Sequence, residues 1–98
     1  MATLRSALYQ ALLKIPQGKV TTYSILAKHL KTSPRAVASM LAANTELELY
    51  PCYKVIHTDG LIGGYRGGVS EKIRRLEADE IRINDGKIDL GKYGFGAF

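Results

Sequence analysis

Pro51-Cys52-Tyr53-Lys54-Val55-Ile56 carries the only cysteine of the chain, with a proline before it and a lysine two positions after it. A thiol next to a fixed positive charge ionises more readily, and the thiolate is the nucleophilic form. An isolated cysteine is also a common small, buried hydrophobe with no chemistry of its own. Lys54 has two readings. In an extended segment, side chains two apart point to the same side, which would bring its ammonium to the sulfur and stabilise the thiolate. Otherwise it faces solvent, where its charge is free for an anionic partner. Tyr53 is a hydrogen-bond donor and acceptor that could order a water.

The elements that must position this segment are read from apolar spacing and punctuation. Leu4, Leu8, Ala11, Leu12 and Ile15 recur at helical spacing, so a first helix is predicted from Thr3 to about Lys14, ended by Pro16-Gln17-Gly18. Thr22 is a candidate N-cap for a second helix, Tyr23 to about Leu30, with Leu26 and Leu30 inward. After the turn Lys31-Thr32, Ser33-Pro34 starts a third helix running to about Ala43. Two short helices across a tight turn fit a helix-turn-helix and equally an ordinary helical hairpin. Val37, Met40 and Leu41 mark the inner face of the third helix, and Arg35, Ala38, Ser39 and Ala42 the outer one. That outer face is nearly bare. It lacks the long polar side chains of a major-groove reader and suits close, sequence-blind docking in the minor groove, or else it is an Ala-rich face chosen for helix propensity.

Asn44 follows, able to cap the helix or bond inward, and the segment 45–50 is irregular. Val55-Ile56-His57 is a short strand candidate turned by Thr58-Asp59-Gly60. The loop Gly63-Gly64-Tyr65-Arg66-Gly67-Gly68 lacks the lysine and spacing of a phosphate-binding loop; its glycines permit tight turns and close approach of a ligand. Ser70 is the expected cap of a fourth helix, about Glu71 to Glu80, with Val69, Ile73 and Leu76 inward. Ile81 to Leu90 reads as a hairpin of two alternating strands about Asn84-Asp85-Gly86. The tail, 91–98, is expected to pack loosely or serve as a linker. The fold class is mainly α with short β elements.

Length and composition bound the rest. At 98 residues and 46% hydrophobic, residues 1–98 form one globular domain with a modest core. No apolar run reaches the roughly 18 residues of a membrane helix, so no membrane is expected, and Met1 to Arg5 lacks the apolar stretch of a secretory signal. One cysteine cannot form an internal disulfide, which points to a reducing, cytoplasmic location. His29 and His57 stand apart and no Cys/His cluster has zinc spacing, so neither metal nor cofactor is expected. The formal charge of +5 suits a nucleic-acid partner.

From Thr3 to about Tyr93 the chain resembles the C-terminal, DNA-binding and active-site domain of the O6-alkylguanine-DNA alkyltransferases. Five segments carry the resemblance in family order: Ile15-Pro16-Gln17-Gly18-Lys19-Val20-Thr21-Thr22-Tyr23, Ser33-Pro34-Arg35-Ala36-Val37, Asn44, Pro51-Cys52-x-x-Val55-Ile56, and Gly60, Gly63, Tyr65, Gly67-Gly68 with Lys72. The resemblance implies a winged-helix-like helix-turn-helix that presses its third helix into the minor groove of double-stranded DNA and flips an O6-alkylguanine out of the stack. It implies that Arg35 fills the vacated space, that Thr22, Tyr23, Ala36, Ala38, Ser39 and Lys54 face the DNA, and that Cys52 accepts the alkyl group irreversibly. Tyr23 takes the role of proton donor to the leaving guanine, Asn44 that of hinge, and Val55, Tyr65 and Arg66 that of pocket.

Two departures stand out. Tyr53 and Lys54 occupy the places of the family's histidine and arginine, and the relay glutamate's place falls at Asp79, next to Glu80. Tyrosine, with a reference pKa near ~10, is a poor base at neutral pH, while Lys54 keeps the charge and loses the planar fork. The sequence lacks the family's N-terminal domain and reads equally as a natural short form, a fragment, or one module of a fusion with a fused or separate partner domain; a monomer is expected. The alternative reading is an alkyltransferase-like, lesion-binding protein without transfer. A helix-turn-helix regulator with an incidental cysteine would need base-reading side chains that the third helix lacks.

Overall fold

The computed structural model describes residues 3–98. Met1 and Ala2, the start of the stretch read for a secretory signal, lie outside the described residues. Thr3 opens α1 (Leu4–Leu12) by accepting the Ser6 N–H at 3.0 Å, which satisfies one of the donors a helix start leaves free. Leu8, Ala11 and Leu12 turn inward, as their spacing predicts. The helix stops two residues before the expected Lys14, because the N–H groups of Lys14 and Ile15 already bond three residues back, to Ala11 and Leu12.

Thr21–Thr22 forms β1 and pairs in parallel with β2, Val55–Ile56, Thr21 against Val55 and Thr22 against Ile56. The sequence shows no sign of β1, since Thr22 reads as a helix cap. It is both: its hydroxyl also accepts the Ile25 N–H at 3.1 Å and opens α2 (Tyr23–Leu30). α2 ends on Lys31 in the left-handed conformation, φ 57°, and α3 (Pro34–Ala42) follows with Ser33 as its cap. α2 packs against both α1 and α3, which is the helix-turn-helix. His57, expected within the strand, falls just outside β2 and bonds across the turn to the Leu61 carbonyl at 2.9 Å.

Three expectations are corrected beyond the glycine loop. α4 spans Val69–Ala78 and its N-cap is Gly68 at φ 96°, with no side-chain cap; Ser70 lies inside the helix, because the positive φ open to glycine turns the chain into the helix two residues early. The Asn84-Asp85-Gly86 turn forms, with φ 51° and 74° at its centre, but its flanks are no strands. Asn84 and Lys87 exchange one pair of hydrogen bonds. Beyond them the chain pairs elsewhere: Lys87 bridges Leu61, and the Ile88 N–H bonds to Gly60. Leu90, expected as strand, begins α5 (Leu90–Tyr93), capped by Asp89. The tail 91–98 is docked, with the Val20 N–H on the Tyr93 carbonyl at 2.8 Å and the Phe95 N–H on the Val20 carbonyl at 2.7 Å. Phe95 and Phe98 meet edge to face at 5.1 Å and pack on the core.

The core has two parts with the strand pair between them. Leu8, Leu12, Leu26, Val37, Leu41, Cys52 and Val55 pack in one, and Val20, Ile56, Ile62, Leu76, Ile81 and Ile88 in the other. Successive strand residues point to opposite faces, so Val55 enters the first part and Ile56 the second. No helix of the described residues is long and apolar enough to cross a membrane.

The close turn of the chain out of α5 makes Gly94, its C-cap, sterically critical. A Cβ there would stand 2.5 Å from the Leu90 carbonyl oxygen, whereas one at Gly91 would meet only the Asp89 carboxylate, at 3.2 Å. Gly94→Ala should lower unfolding free energy by about 1–3 kcal/mol, as overpacking does, and Gly91→Ala should stay within about 0.5 kcal/mol of wild type. Urea melts of the two variants check the difference.

Candidate active site and DNA-facing helix

Cys52 begins a 3₁₀ turn, Cys52–Lys54, that leads directly into β2. Its sulfur, with the residue 6% exposed, borders a pocket of about 330 Å³ lined by Tyr23, Ala38, Leu41, Ala42, Cys52, Gly64, Tyr65 and Arg66. One wall is thus the start of α2 and the outer face of α3; the other is the glycine loop. Arg66 ties the walls together, its guanidinium donating to the Ala42 carbonyl at the end of α3 at 2.7 Å. Gly67 makes room for the Tyr65 ring, since a Cβ there would lie 2.7 Å from Tyr65 Cε2. The Tyr65 hydroxyl is buried without a hydrogen-bond partner among the described residues.

Asn44, 1% exposed, bonds inward. Its amide donates to the Tyr50 carbonyl at 3.0 Å and to Cys52 Sγ at 3.6 Å, and its oxygen accepts the Glu46 N–H at 2.9 Å. Burial pushes the Cys52 thiol above its ordinary value of 9.0, opposed by the Asn44 amide and the charges of Lys72 and Arg75. Burial dominates, so the resting group is a neutral thiol. Tyr23 is held above the ordinary tyrosine value by burial and then by Cys52, so it too is a protonated donor.

Lys54 fulfils neither of its readings. In a 3₁₀ turn, residues two apart project in different directions, so the expected alignment with the sulfur is lost. The side chain runs inward, 8% exposed, and donates to the Ile15 carbonyl at 3.1 Å. It reaches neither thiol nor DNA surface. The cation that acts on the sulfur from within is Lys72, fully buried, donating to the Val55 carbonyl at 2.7 Å and the Gly64 carbonyl at 3.0 Å. Burial lowers its pKa to about 8, with Cys52 acting in the opposite sense. Helical spacing places Lys72 with Leu76, and beside Ile73, on the inward face of α4, a signal that would have marked it as buried; Val69, expected inward, is 48% exposed at the first turn of the helix.

The other site residues sort as follows. Tyr53 donates directly to Asp79 Oδ2 at 2.6 Å. Burial and then that hydrogen bond hold its hydroxyl far above the ordinary value. Val55, expected in the pocket wall, is fully buried behind it. Thr22, expected to face DNA, is 2% exposed with its hydroxyl committed to the α2 cap. Arg35, Ala38 and Ser39 are exposed on α3 and Ala36 is half-buried. Ala38 and Ala42 also border the pocket, so the bare helix face and the thiol share one entrance.

A helix-turn-helix whose exposed face opens onto a buried thiol defines a narrow class of domain. Residues 3–81 match the DNA-binding domain of 6-O-methylguanine DNA methyltransferase, and the chain belongs to that family. It is 52% identical over 97 residues to a bifunctional methyltransferase/endonuclease of Picrophilus torridus, covering 97% of this chain and 33% of that one. It is 44% identical over 79 residues to a methylated-DNA–protein-cysteine methyltransferase of Saccharolobus islandicus, covering 81% of this chain and 52% of the relative. The chain thus spans between a third and about half of these relatives' length. Among solved structures it resembles the O6-methylguanine-DNA methyltransferase of Pyrococcus kodakaraensis, with TM-score 0.76 and 36% identity over 83% of this chain and 48% of that one. The fold alone also matches S. pombe Atl1 in complex with damaged DNA containing O6-carboxymethylguanine, with TM-score 0.85 at 24% identity over 97% of this chain and 98% of that one.

With one cysteine in the chain, a small alkylating reagent reports Cys52 alone. Its rate should be low at neutral pH and keep rising past pH 9, the direction burial imposes. Lys72→Met removes a charge that, with a pKa of about 8, is present at neutral pH and largely gone above pH 9, so the neutral rate should fall while the midpoint moves little. Lys54→Met should leave the midpoint in place. Iodoacetamide kinetics against pH, with circular dichroism as a check on folding, measure both.

Proposed function

We propose that this domain transfers an alkyl group from O6 of guanine in double-stranded DNA to Cys52, once per molecule. The observation that carries this reading is the thiol bordering a pocket whose entrance is a bare helix face. The pocket volume of about 330 Å³ sits at the low end of small-molecule sites, which suits one flipped base. The helix-turn-helix docks in the minor groove, and Ala38, Ser39 and Ala42 let the α3 backbone approach. Arg35, exposed at the N-terminal end of α3, fills the gap the base leaves. The net charge of +5 supplies the sequence-independent attraction to phosphate.

In the reaction the Cys52 thiol first loses its proton to solvent, and the thiolate attacks the alkyl carbon from the side opposite O6. The S–C bond forms, the C–O bond breaks, and its electron pair remains on guanine. The Tyr23 hydroxyl, at the pocket wall and still protonated, donates to the ring of the leaving base. Asn44 presents its amide to the sulfur, and the Tyr65-Arg66 backbone faces the guanine oxygen. The thioether on Cys52 has no easy route to hydrolysis, hence a single turnover. A thiol held for one use needs a reducing compartment, and we place the protein in one.

A second reading, lesion binding without transfer, is favoured by Tyr53 standing where an imidazole base would activate the thiol. Incubation with O6-methylguanine duplex separates the two. Transfer adds one methyl mass to the peptide containing Cys52; binding with an unchanged mass supports the second reading. In either case Cys52→Ala should still bind the lesion.

Base extrusion has its own signature. Arg35→Ala should slow repair of duplex DNA about tenfold or more while sparing free O6-benzylguanine, because unstacking costs a few kcal/mol only in the duplex. Equal losses on both substrates would remove Arg35 from that step. Ala38→Leu should weaken duplex binding with the fold intact.

A further inference from the structure

We infer that His57 is a positioning residue for Tyr23, setting where the Tyr23 hydroxyl stands in the pocket. This rests on the proposed role of Tyr23 as proton donor. The pairing of β1 with β2 sets Thr21 against Val55 and Thr22 against Ile56. The same offset continues past the strand ends, through side chains. Tyr23 stands against His57, with ring centroids 5.1 Å apart and planes tilted by 41°. Ser24 stands against Thr58, with hydroxyls 2.7 Å apart. Two backbone pairs and two side-chain pairs thus clasp the first turn of α2 to the segment that follows the cysteine.

The clasp closes over Gly63. A Cβ on Gly63 would lie 2.9 Å from His57 Nε2 and 3.6 Å from the Tyr23 hydroxyl, so both groups converge on space that only glycine leaves free. The positive φ of Gly63, 72°, turns the chain there toward Gly64 and Tyr65, which line the pocket. Tyr23 lines the same pocket. One face of its ring therefore rests on His57, and the position of its hydroxyl depends on that support. His57 itself is exposed and lies outside the pocket lining. It acts through Tyr23 and has no contact with the sulfur.

The test measures single-turnover transfer from O6-methylguanine duplex and from free O6-benzylguanine. Because His57 is exposed, its replacement leaves the core intact, and His57→Gln serves as a second variant without a ring. His57→Ala and His57→Gln should slow both substrates by about ten- to a hundredfold, the scale of a misplaced reacting group. His57→Phe, which keeps a ring against Tyr23, should recover most of the rate. In a Tyr23→Phe background, His57→Ala should add nothing further. A His57→Ala rate equal to wild type, equal losses in the Ala and Phe variants, or additive losses with Tyr23→Phe would each overturn the proposal. Ring-labelled tyrosine NMR gives a readout independent of transfer: the Tyr23 signals should move in His57→Ala and return toward wild type in His57→Phe. If the wild-type protein transfers nothing, the functional reading fails, and unmoved Tyr23 signals in His57→Ala would then overturn the pairing on their own.

Discussion

Two residue pairs, Thr21 with Val55 and Thr22 with Ile56, hold the entrance of the helix-turn-helix against the exit of the cysteine turn. Cys52 lies three residues before Val55, and Tyr23 directly follows Thr22. The distance between the proposed nucleophile and the proposed proton donor is therefore set by a two-residue parallel register. Parallel pairing usually needs a long crossover; here α2, α3 and the cysteine turn are that crossover. The strand pair also separates the two parts of the core, so a slip of one residue would exchange Val55 and Ile56 between them and carry Cys52 away from Asn44.

Lys72 locks the same junction from behind. A fully buried ammonium is costly to desolvate, and its pKa of about 8 records that cost. The compensation is two carbonyls, one on β2 at Val55 and one on the glycine loop at Gly64. It thereby fixes the pocket wall relative to the cysteine turn while its charge acts on the sulfur. Burial wins at Cys52, so the site stores a thiol and spends its electrostatic bias only when the proton leaves.

What could be read from the sequence follows the range of the interactions. Thr22 and Ser33-Pro34 mark helix starts because capping is local, and both caps form. The apolar faces of α1, α2 and α3 follow from spacing. Failures occur where a distant partner decides. The hairpin expected over 81–90 loses its second strand because Lys87 and Ile88 pair with Leu61 and Gly60. The tail was invisible because its partner is Val20, more than seventy residues earlier. At Cys52 the error was one of geometry: alternation holds for a strand, and a 3₁₀ turn redirects Lys54 to the Ile15 carbonyl. The site residues were nameable mainly through the resemblance; their distances depend on β1, which two threonines ahead of a cap do not advertise.

The exchange of histidine for Tyr53 changes what this position can do. Its hydroxyl is a committed donor to Asp79, and its ring lies 5.9 Å from the Lys54 ammonium and 5.8 Å from the Arg75 guanidinium. A cation near an aromatic face is attracted to it, so the ring, the carboxylate and two positive charges form one set that fastens the cysteine turn to the end of α4. Such a set holds geometry well and moves protons poorly, because a tyrosine raised this far neither accepts nor releases one near neutrality. For a thiol proposed to react once, that exchange is tolerable. Loss of the base lowers the thiolate fraction and hence the rate, while the fixed turn preserves the alignment of sulfur, Asn44 and pocket. What remains to favour the thiolate is the field of Lys72 and Arg75 and the Asn44 amide, which places the control of reactivity in α4 and in the loop after α3.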